Sequence, residues 1–143
     1  MHVLIADDDP VYRALLRSLL EHWKCDVTVT SDGREAWERI RSDDSIDLVL
    51  LDWMMPEMDG YEVCRSIRQS NDLRGVYILM LTGSRQKEEI VKVLVAGADD
   101  YLIKPFEPQD LQIRIRAAKR IIDLQQELAD LRRRTTQTAK ATA

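Results

Sequence analysis

Residues 48–60 read LVLLDWMMPEMDG and place a carboxylate directly after a short apolar run. The run Leu48–Leu51 is continuously apolar, which is typical of a strand that helices cover on both faces. Asp52 ends this run, and Asp59-Gly60 precede apolar residues at helical spacing, namely Tyr61, Val63, Cys64 and Ile67. The stretch therefore predicts a buried strand, a loop that begins at a carboxylate, and a helix.

The same alternation of apolar runs and helical patterns extends along the chain. Each pair of runs leaves room for one helix, and the five runs are Val3–Ala6, Val27–Val29, Leu48–Leu51, Val76–Leu81 and Tyr101–Ile103. Strands that alternate with helices in this way pair in parallel. Val27–Val29 alternates between apolar and polar residues, as an edge strand does. We therefore expect an α/β protein with a (βα)₅ arrangement and a doubly wound, parallel, five-stranded sheet.

Length and composition indicate one globular domain. The chain has 143 residues, of which 45% are hydrophobic and 32% charged, so collagen-like and wholly disordered proteins are excluded. No apolar run approaches the roughly 18–20 residues that cross a bilayer, and Met1 leads directly into the first strand without a signal peptide. We expect a cytoplasmic protein that makes no membrane contact.

Any metal site in this chain is expected to use oxygen ligands. Cys25 and Cys64 lie 39 residues apart, and His2 and His22 are the only two histidines. This set excludes zinc clusters and disulfide scaffolds. Carboxylate and carbonyl oxygens are the groups that remain.

Polar side chains follow four of the five predicted strands. They are Asp7 and Asp8 after strand 1, Asp52 after strand 3, Thr82 after strand 4 and Lys104 after strand 5. The carboxyl ends of parallel strands meet at one edge of the sheet, so these side chains are expected to lie together. Three carboxylates about 4–6 Å apart repel one another unless a cation lies among them. Oxygen ligands alone favour Mg²⁺ or Mn²⁺.

This combination of groups matches the needs of phosphoryl transfer. A carboxylate supplies a nucleophile, and a cation, a lysine and a hydroxyl stabilise the phosphoryl oxygens. Each residue alone has a simpler interpretation, since Asp9 before Pro10 is expected to cap a helix and Thr82 alone suits the same role. The joint arrangement favours a functional site, because four strands deliver complementary groups to one edge.

Four stretches of the chain resemble the receiver domain of response regulators in two-component signalling. They are Asp7-Asp8, Leu51–Gly60, Leu81-Thr82-Gly83 and Gly97–Phe106, and the resemblance covers residues 2 to about 122. It implies a flavodoxin-like fold with strand order 2-1-3-4-5 and a receiver domain over residues 1–122. Such domains accept a phosphoryl group from a phosphohistidine on a sensor histidine kinase or phosphotransfer protein, and they then hydrolyse it.

The resemblance implies a role for each residue at the sheet edge. Asp52 is expected to accept the phosphoryl group, while Lys104 and Thr82 bind its oxygens. Thr82 and Tyr101 are expected to switch conformation together when Asp52 is phosphorylated. The Lys104-Pro105 peptide bond is expected to be cis, which would aim the lysine.

The resemblance also implies a metal site and its modulators. The expected ligands of Mg²⁺ (or Mn²⁺) are Asp7, Asp8, Asp52 and the backbone carbonyl of Met54. The chain departs from well-known single-domain receivers at Met54, where a polar residue is frequent, and at Gly83, which is often alanine. Met54 and Ser84 are expected to flank the path of the attacking water, and so to set the lifetime of the phosphoryl group.

Other classes of protein explain the sequence less well. A phosphotransferase or phosphatase that acts on a small substrate needs a cap or pocket and an acid two positions beyond Asp52, where Met54 stands. A flavodoxin-like nucleotide or flavin binder needs a glycine-rich phosphate loop. A phosphorylation-independent interaction module does not need the complete set of site residues. We expect a signalling domain that controls an output domain or partner and catalyses only its own phosphorylation and dephosphorylation.

The predicted helix after Pro108 carries two apolar stripes. The first, expected to pack on the sheet, is Leu111, Ile115, Ala118 and Ile122. The second, with the a/d spacing of a coiled coil, is Ala117, Ile121, Leu124, Leu128 and Leu131. We expect residues 123–143 to form a helical extension whose end, from Thr135 to Ala143, is frayed or disordered. We also expect a parallel homodimer through this helix, through the face of helix 4, strand 5 and helix 5, or through both.

The charge of the extension is basic but interrupted. Asp123, Glu127 and Asp130 lie among its lysines and arginines, and no aromatic residue is present for base stacking. We therefore expect no direct contact with nucleic acid. No recognisable output domain follows residue 122, so the chain is expected to be a stand-alone receiver or part of a larger regulator.

Overall fold

The structure, a computed structural model, describes residues 1–142, and within them strands and helices alternate. The strands are β1 (His2–Ala6), β2 (Asp26–Thr30), β3 (Leu48–Asp52), β4 (Tyr77–Thr82) and β5 (Asp100–Ile103). The helices are α1 (Pro10–His22), α2 (Gly33–Ser42), α3 (Gly60–Gln69), α4 (Lys87–Ala96) and α5 (Pro108–Thr142), with a 3₁₀ turn at Asn71–Leu73. Every predicted strand is present, and its ends differ from the prediction by one residue at most.

The five strands form one parallel sheet in the order β2-β1-β3-β4-β5. This confirms the predicted flavodoxin-like topology. Strand β2 lies at one edge and is only partly buried, as its alternating pattern predicts, whereas β3 and β4 are buried throughout. The loops after β1 and β3 diverge where the strand order reverses, which opens a crevice at the carboxyl edge of the sheet.

Helices cover both faces of the sheet and bury two apolar cores. Successive residues of β3 contribute to opposite cores: Leu48 and Leu50 face α1 and α5, while Val49 and Leu51 face α2, α3 and α4. The first helical stripe of α5 packs as predicted, since Leu111, Ile115 and Ala118 are buried and Ile122 is partly buried.

Aspartate side chains fix the starts of the first three helices. Asp9, Asp32 and Asp59 each accept a hydrogen bond from a backbone amide in the first turn of α1, α2 and α3, which confirms the predicted role of Asp9. Such caps contribute about 1 kcal/mol each. The start of α4 differs, because Gln86 makes no side-chain hydrogen bond to its first turn.

The helix α5 is continuous beyond the part that packs on the sheet. The sequence predicts a frayed or disordered end from Thr135 to Ala143; in the described residues α5 continues as a helix to Thr142, and Ala143 lies outside them. The hydroxyls of Thr135 and Thr136 donate hydrogen bonds to the carbonyl oxygens four residues earlier, at 3.0 Å and 2.9 Å. No helix of the described residues is both long and apolar enough to cross a membrane.

Two glycines allow the loop after β3 to pack closely against neighbouring backbone. A Cβ atom at Gly60 would lie 2.4 Å from the backbone oxygen of Asp52, and a Cβ at Gly33 would lie 1.6 Å from the backbone oxygen of Met58. At Gly83, by contrast, a Cβ would meet no atom within 4 Å. The loop that follows Asp52 is therefore held in place by close backbone contacts that only glycine allows.

These contacts predict different effects for the same substitution. Gly33→Ala and Gly60→Ala are expected to lower the free energy of unfolding by about 1–3 kcal/mol or more, since backbone atoms must shift. Gly83→Ala, the matched control, should change it by no more than about 1 kcal/mol in either direction. Urea unfolding followed by circular dichroism measures all three, and equal losses in the three variants would contradict the packing described.

Candidate functional site

Three carboxylates meet at the carboxyl edge of the sheet. Asp7 and Asp8 follow β1, Asp52 ends β3, and one oxygen from each lies within 4.8 Å of the others. Asp7 is fully buried, Asp52 is 8% exposed, and Asp8 is exposed to solvent. The amide of Asp9 donates a hydrogen bond to Asp7 Oδ1 at 2.9 Å, which orients that carboxylate. The predicted acidic cluster is therefore present.

Lys104 places one positive charge between two of these carboxylates. Its Nζ lies 2.6 Å from Asp7 Oδ2 and 3.4 Å from Asp52 Oδ1, and its side chain is 14% exposed. The backbone amide of Lys104 donates to the carbonyl oxygen of Thr82 at 2.7 Å, which ties this loop to β4. The Lys104-Pro105 peptide bond is cis, as predicted.

The cluster carries more negative charge than Lys104 balances. Burial raises the pKa of Asp52 to about 7; the Lys104 ammonium opposes this shift, and the charge of Asp7 adds to it. A carboxylate that is costly to ionise beside two others is stabilised by a further cation. Three carboxylates without nitrogen or sulfur ligands suit a hard divalent cation such as Mg²⁺. The residues present therefore fit the metal that the sequence predicts.

A cleft of about 400 Å³ opens beside Asp52. Its lining residues are Asp52, Trp53, Met54, Thr82, Gly83, Ser84 and Glu89. Met54 is 74% exposed and Thr82 is buried, with its Oγ1 accepting a hydrogen bond from the Ser84 amide at 3.0 Å. Met54 and Ser84 thus lie beside Asp52, where the sequence places them, whereas Glu89 of α4 was not predicted.

Tyr101 lies on β5 and faces the same side of the sheet as α4. Its ring is partly buried against the core formed with α2, α3 and α4, and its backbone oxygen accepts a hydrogen bond from Arg114 Nε at 2.9 Å. Register pairs Tyr101 with Met80, two residues before Thr82 on the neighbouring strand. The two predicted switch residues therefore occupy adjacent strands.

Tyr12 is a neighbour of the site that the sequence patterns did not reveal. Its ring centroid lies 4.0 Å from Lys104 Nζ and 6.0 Å from the ring centroid of Phe106. The sequence does predict that Tyr12 lies in the first turn of α1, three residues after the capping Asp9. This position alone does not specify which side chain the Tyr12 ring contacts.

The fold and the site define a parallel α/β protein with an acidic, lysine-containing edge suited to phosphoryl transfer. A family model described as the response regulator receiver domain matches residues 3–116. The chain belongs to this family, and it is thus a receiver domain of two-component signalling.

Individual relatives agree with this assignment. The response regulator MprA of Mycolicibacterium vanbaalenii is 45% identical over 120 residues, which cover 84% of this chain and 51% of that protein. The receiver domain of the sensor histidine kinase PA1611 of Pseudomonas aeruginosa PAO1, solved with magnesium in its active site cleft, is 32% identical. Its TM-score is 0.75, and the match covers 85% of this chain and 97% of that one.

A second solved structure, of a probable two-component system response regulator/GGDEF domain protein, has a TM-score of 0.80 and 30% identity. The match covers 86% of this chain and 50% of that one. The chain likewise spans about half the length of the curated relatives it matches, including 51% of MprA.

Proposed function

We propose that this receiver domain is switched by phosphorylation of Asp52. The observation that carries the proposal is the position of Lys104 Nζ, 3.4 Å from Asp52 and 2.6 Å from Asp7 at the edge of an open cleft. A carboxylate oxygen of Asp52 attacks the phosphorus of a phosphohistidine on a sensor histidine kinase or phosphotransfer protein. The P–O bond forms as the P–N bond breaks, and the histidine nitrogen leaves and takes up a proton.

The side chains around Asp52 have distinct tasks in this step. Lys104 binds a phosphoryl oxygen and balances its charge, and the Thr82 hydroxyl donates a hydrogen bond to another. Asp7, Asp8, Asp52 and the Met54 carbonyl would hold Mg²⁺, or Mn²⁺ in its place. The bound ion would supply further positive charge for the phosphoryl oxygens.

The direct test is the mass of the intact chain after incubation with Mg²⁺ and acetyl phosphate. We expect a gain of one phosphoryl group that disappears on further incubation and does not form when EDTA removes the metal. A chain whose mass stays unchanged under all of these conditions would contradict the proposal. No observation favours a small-substrate phosphatase, and we propose that the chain turns over only its own phosphoryl group.

Phosphorylation is expected to move Thr82, Tyr101 and the start of α4 together. The first turn of α4 lacks a side-chain cap, whereas its end is held where Arg68 Nε donates to the Gly97 oxygen at 2.8 Å. Thr82 would turn its hydroxyl toward the phosphoryl group, and Tyr101 would turn inward into the space it leaves.

Structures without and with beryllofluoride measure this change. We expect the Thr82 hydroxyl within hydrogen-bond distance of the fluoride shell, a more buried Tyr101 ring, and a displaced first turn of α4. The Thr82→Ala variant should lose most of the Tyr101 movement. An unmoved Tyr101 in the wild-type complex would rule out the coupled switch.

The lifetime of the phosphoryl group is expected to depend on Met54. An apolar side chain beside the cleft cannot orient the attacking water, so Met54→Asn should speed dephosphorylation by about fivefold, the effect of one hydrogen bond. Met54→Leu is the matched control and should leave the rate unchanged. Decay of the phosphorylated mass measures both rates, and an unchanged or slower rate in the asparagine variant would refute the prediction.

The exposed stripe of α5 is proposed to bind a second copy of the chain. Ile121, Leu124, Leu128 and Leu131 are 42–57% exposed, so the receiver core does not cover them. With Leu124 and Leu131 at d, Glu127 falls at g and Arg132 at the following e position, which face each other between parallel helices. Antiparallel helices with the same layers would oppose Glu127 to its own copy. The charges therefore favour a parallel dimer.

The apolar surface of α4 offers the second proposed contact. Val91 and Val95 are 47% and 81% exposed. We also propose a cytoplasmic location, which agrees with the free state of Cys25 and Cys64. Within this chain we propose no contact with nucleic acid or membrane, and control of a partner or output domain.

A further inference from the structure

Lys104 is held by an aromatic ring as well as by carboxylates. The Tyr12 ring centroid lies 4.0 Å from Lys104 Nζ, inside the range in which an aromatic face attracts an ammonium. The Lys104 side chain is only 14% exposed, so little water competes for its charge. Phe106 packs against Tyr12 with ring centroids 6.0 Å apart and an interplanar angle of 44°.

The helix start fixes where this ring lies. Asp9 caps α1 through the amide of Val11 at 2.9 Å, and Arg13 Nη1 donates to the backbone oxygen of Asp7 at 2.9 Å. The residues on both sides of Tyr12 are thus tied to the strand end that carries the acidic cluster. The backbone at Tyr12 is therefore fixed close to the acidic cluster.

The Tyr12 ring limits the position of the Lys104 ammonium, which is attracted by two carboxylates. Lys104 Nζ lies 0.8 Å closer to its Asp7 contact at 2.6 Å than to its Asp52 contact at 3.4 Å. A lysine has a flexible stem and a point charge, so these anions alone leave its position loosely defined. A third attraction from the Tyr12 face limits the ammonium to a small region within reach of both carboxylates.

We propose that Tyr12 is a positioning residue for phosphorylation, whose ring face holds the Lys104 ammonium ready to bind a phosphoryl oxygen on Asp52. The inference rests on the proposed function. In this role Tyr12 acts through Lys104 and not directly on Asp52 or on the phosphoryl group. Because the attraction comes from the ring face, the phenolic hydroxyl is not required.

Matched variants separate the ring from the bulk of the side chain. Tyr12→Leu keeps an apolar group but removes the π-face, and is expected to slow phosphorylation by acetyl phosphate at saturating Mg²⁺ by about 3- to 30-fold. Tyr12→Phe keeps the face and should retain the wild-type rate. Tyr61→Leu removes a ring that lies 4.7 Å from Lys92 Nζ, away from the site, and should also leave the rate unchanged.

A second readout follows the contact without metal or phosphodonor. Ring currents from Tyr12 shift the Lys104 ε-methylene protons upfield in NMR spectra, and we expect this shift in the wild type and Tyr12→Phe but not in Tyr12→Leu. Progressively fluorinated phenylalanines at position 12 weaken the negative ring face at nearly constant shape. The phosphorylation rate should fall stepwise along this series, which a purely structural role of Tyr12 would not cause.

The outcomes distinguish this inference from the proposed function. A wild type that is never phosphorylated overturns both. A phosphorylated wild type with a Tyr12→Leu rate equal to it, or a fluorinated series with a constant rate, overturns the role of Tyr12 alone. If Tyr12→Leu does not fold, the fluorinated series decides the question without it.

Discussion

Replacing Asp52 with asparagine is expected to abolish phosphorylation of the chain. An amide oxygen is a poor nucleophile, so the rate of phosphoryl gain from acetyl phosphate should fall by at least about 10³-fold, the scale seen when enzymes lose their nucleophile. Intact-mass spectrometry of Asp52→Asn beside the wild type measures this loss. Equal modification of the two proteins would show that another residue accepts the phosphoryl group.

The melting temperature of Asp52→Asn shows whether its loss of phosphorylation is due to unfolding. Asp52 is nearly buried beside Asp7 and Asp8, and burial raises its pKa to about 7. Asparagine is neutral, so it is not repelled by the carboxylates of Asp7 and Asp8. The melting temperature of metal-free Asp52→Asn should therefore equal or exceed that of the wild type. Asp8→Asn is the control at the exposed carboxylate: it should still be phosphorylated, but only at a higher Mg²⁺ concentration.

Removing two leucines from the exposed stripe of α5 is expected to convert the proposed dimer into a monomer. Leu124 and Leu128 are 57% and 48% exposed, and a parallel pair would bury four such side chains. The double variant Leu124→Gln, Leu128→Gln should therefore raise the dimer Kd by at least about 10³-fold. Sedimentation equilibrium, with and without beryllofluoride, measures the dimer Kd of each variant. Val11→Gln, at a 73% exposed position on α1, is the control.

Charge reversal tests the orientation of the helices. Arg132→Glu would oppose two glutamates in the parallel arrangement and should weaken the dimer, while adding Glu127→Arg should restore it. If the double reversal weakens the dimer further, the parallel arrangement is wrong. A wild type that stays monomeric at high concentration in all conditions would exclude the coiled coil.

The convergence of the site residues could be predicted because it follows from topology. Asp52 and Thr82 end their strands and Asp7 and Lys104 follow theirs, and parallel strands end at one edge whatever the details of packing. The sequence therefore placed these residues together without any side-chain coordinates. The roles of Asp52 and Lys104 came from the chemistry of the set and from the family resemblance.

Other features depended on contacts that no periodic pattern encodes. The ring of Tyr12 meets Lys104 because of the rotation of α1 and the path of the lysine stem, which depend on packing. Glu89 borders the cleft for a similar reason, since α4 begins at Lys87 after an uncapped loop. The expectation of a frayed or disordered end to α5 rested on its position at the end of the chain, and the sequence pattern did not show that the hydroxyls of Thr135 and Thr136 bond within the helix.

Because α5 is continuous, small rearrangements of the receiver would produce large displacements at its far end. Arg114 joins the base of α5 to the backbone oxygen of Tyr101 at 2.9 Å and to Asp100 at 3.6 Å, so the helix is anchored to the strand of the proposed switch. From residue 123 to Thr142 the helix projects about 30 Å at 1.5 Å per residue. A tilt of about 10° at Arg114, about 42 Å from Thr142 along the helix, would swing the far end by about 7 Å. α5 would thus work as a lever, and the angle at which two receivers hold their helices would itself be the signal.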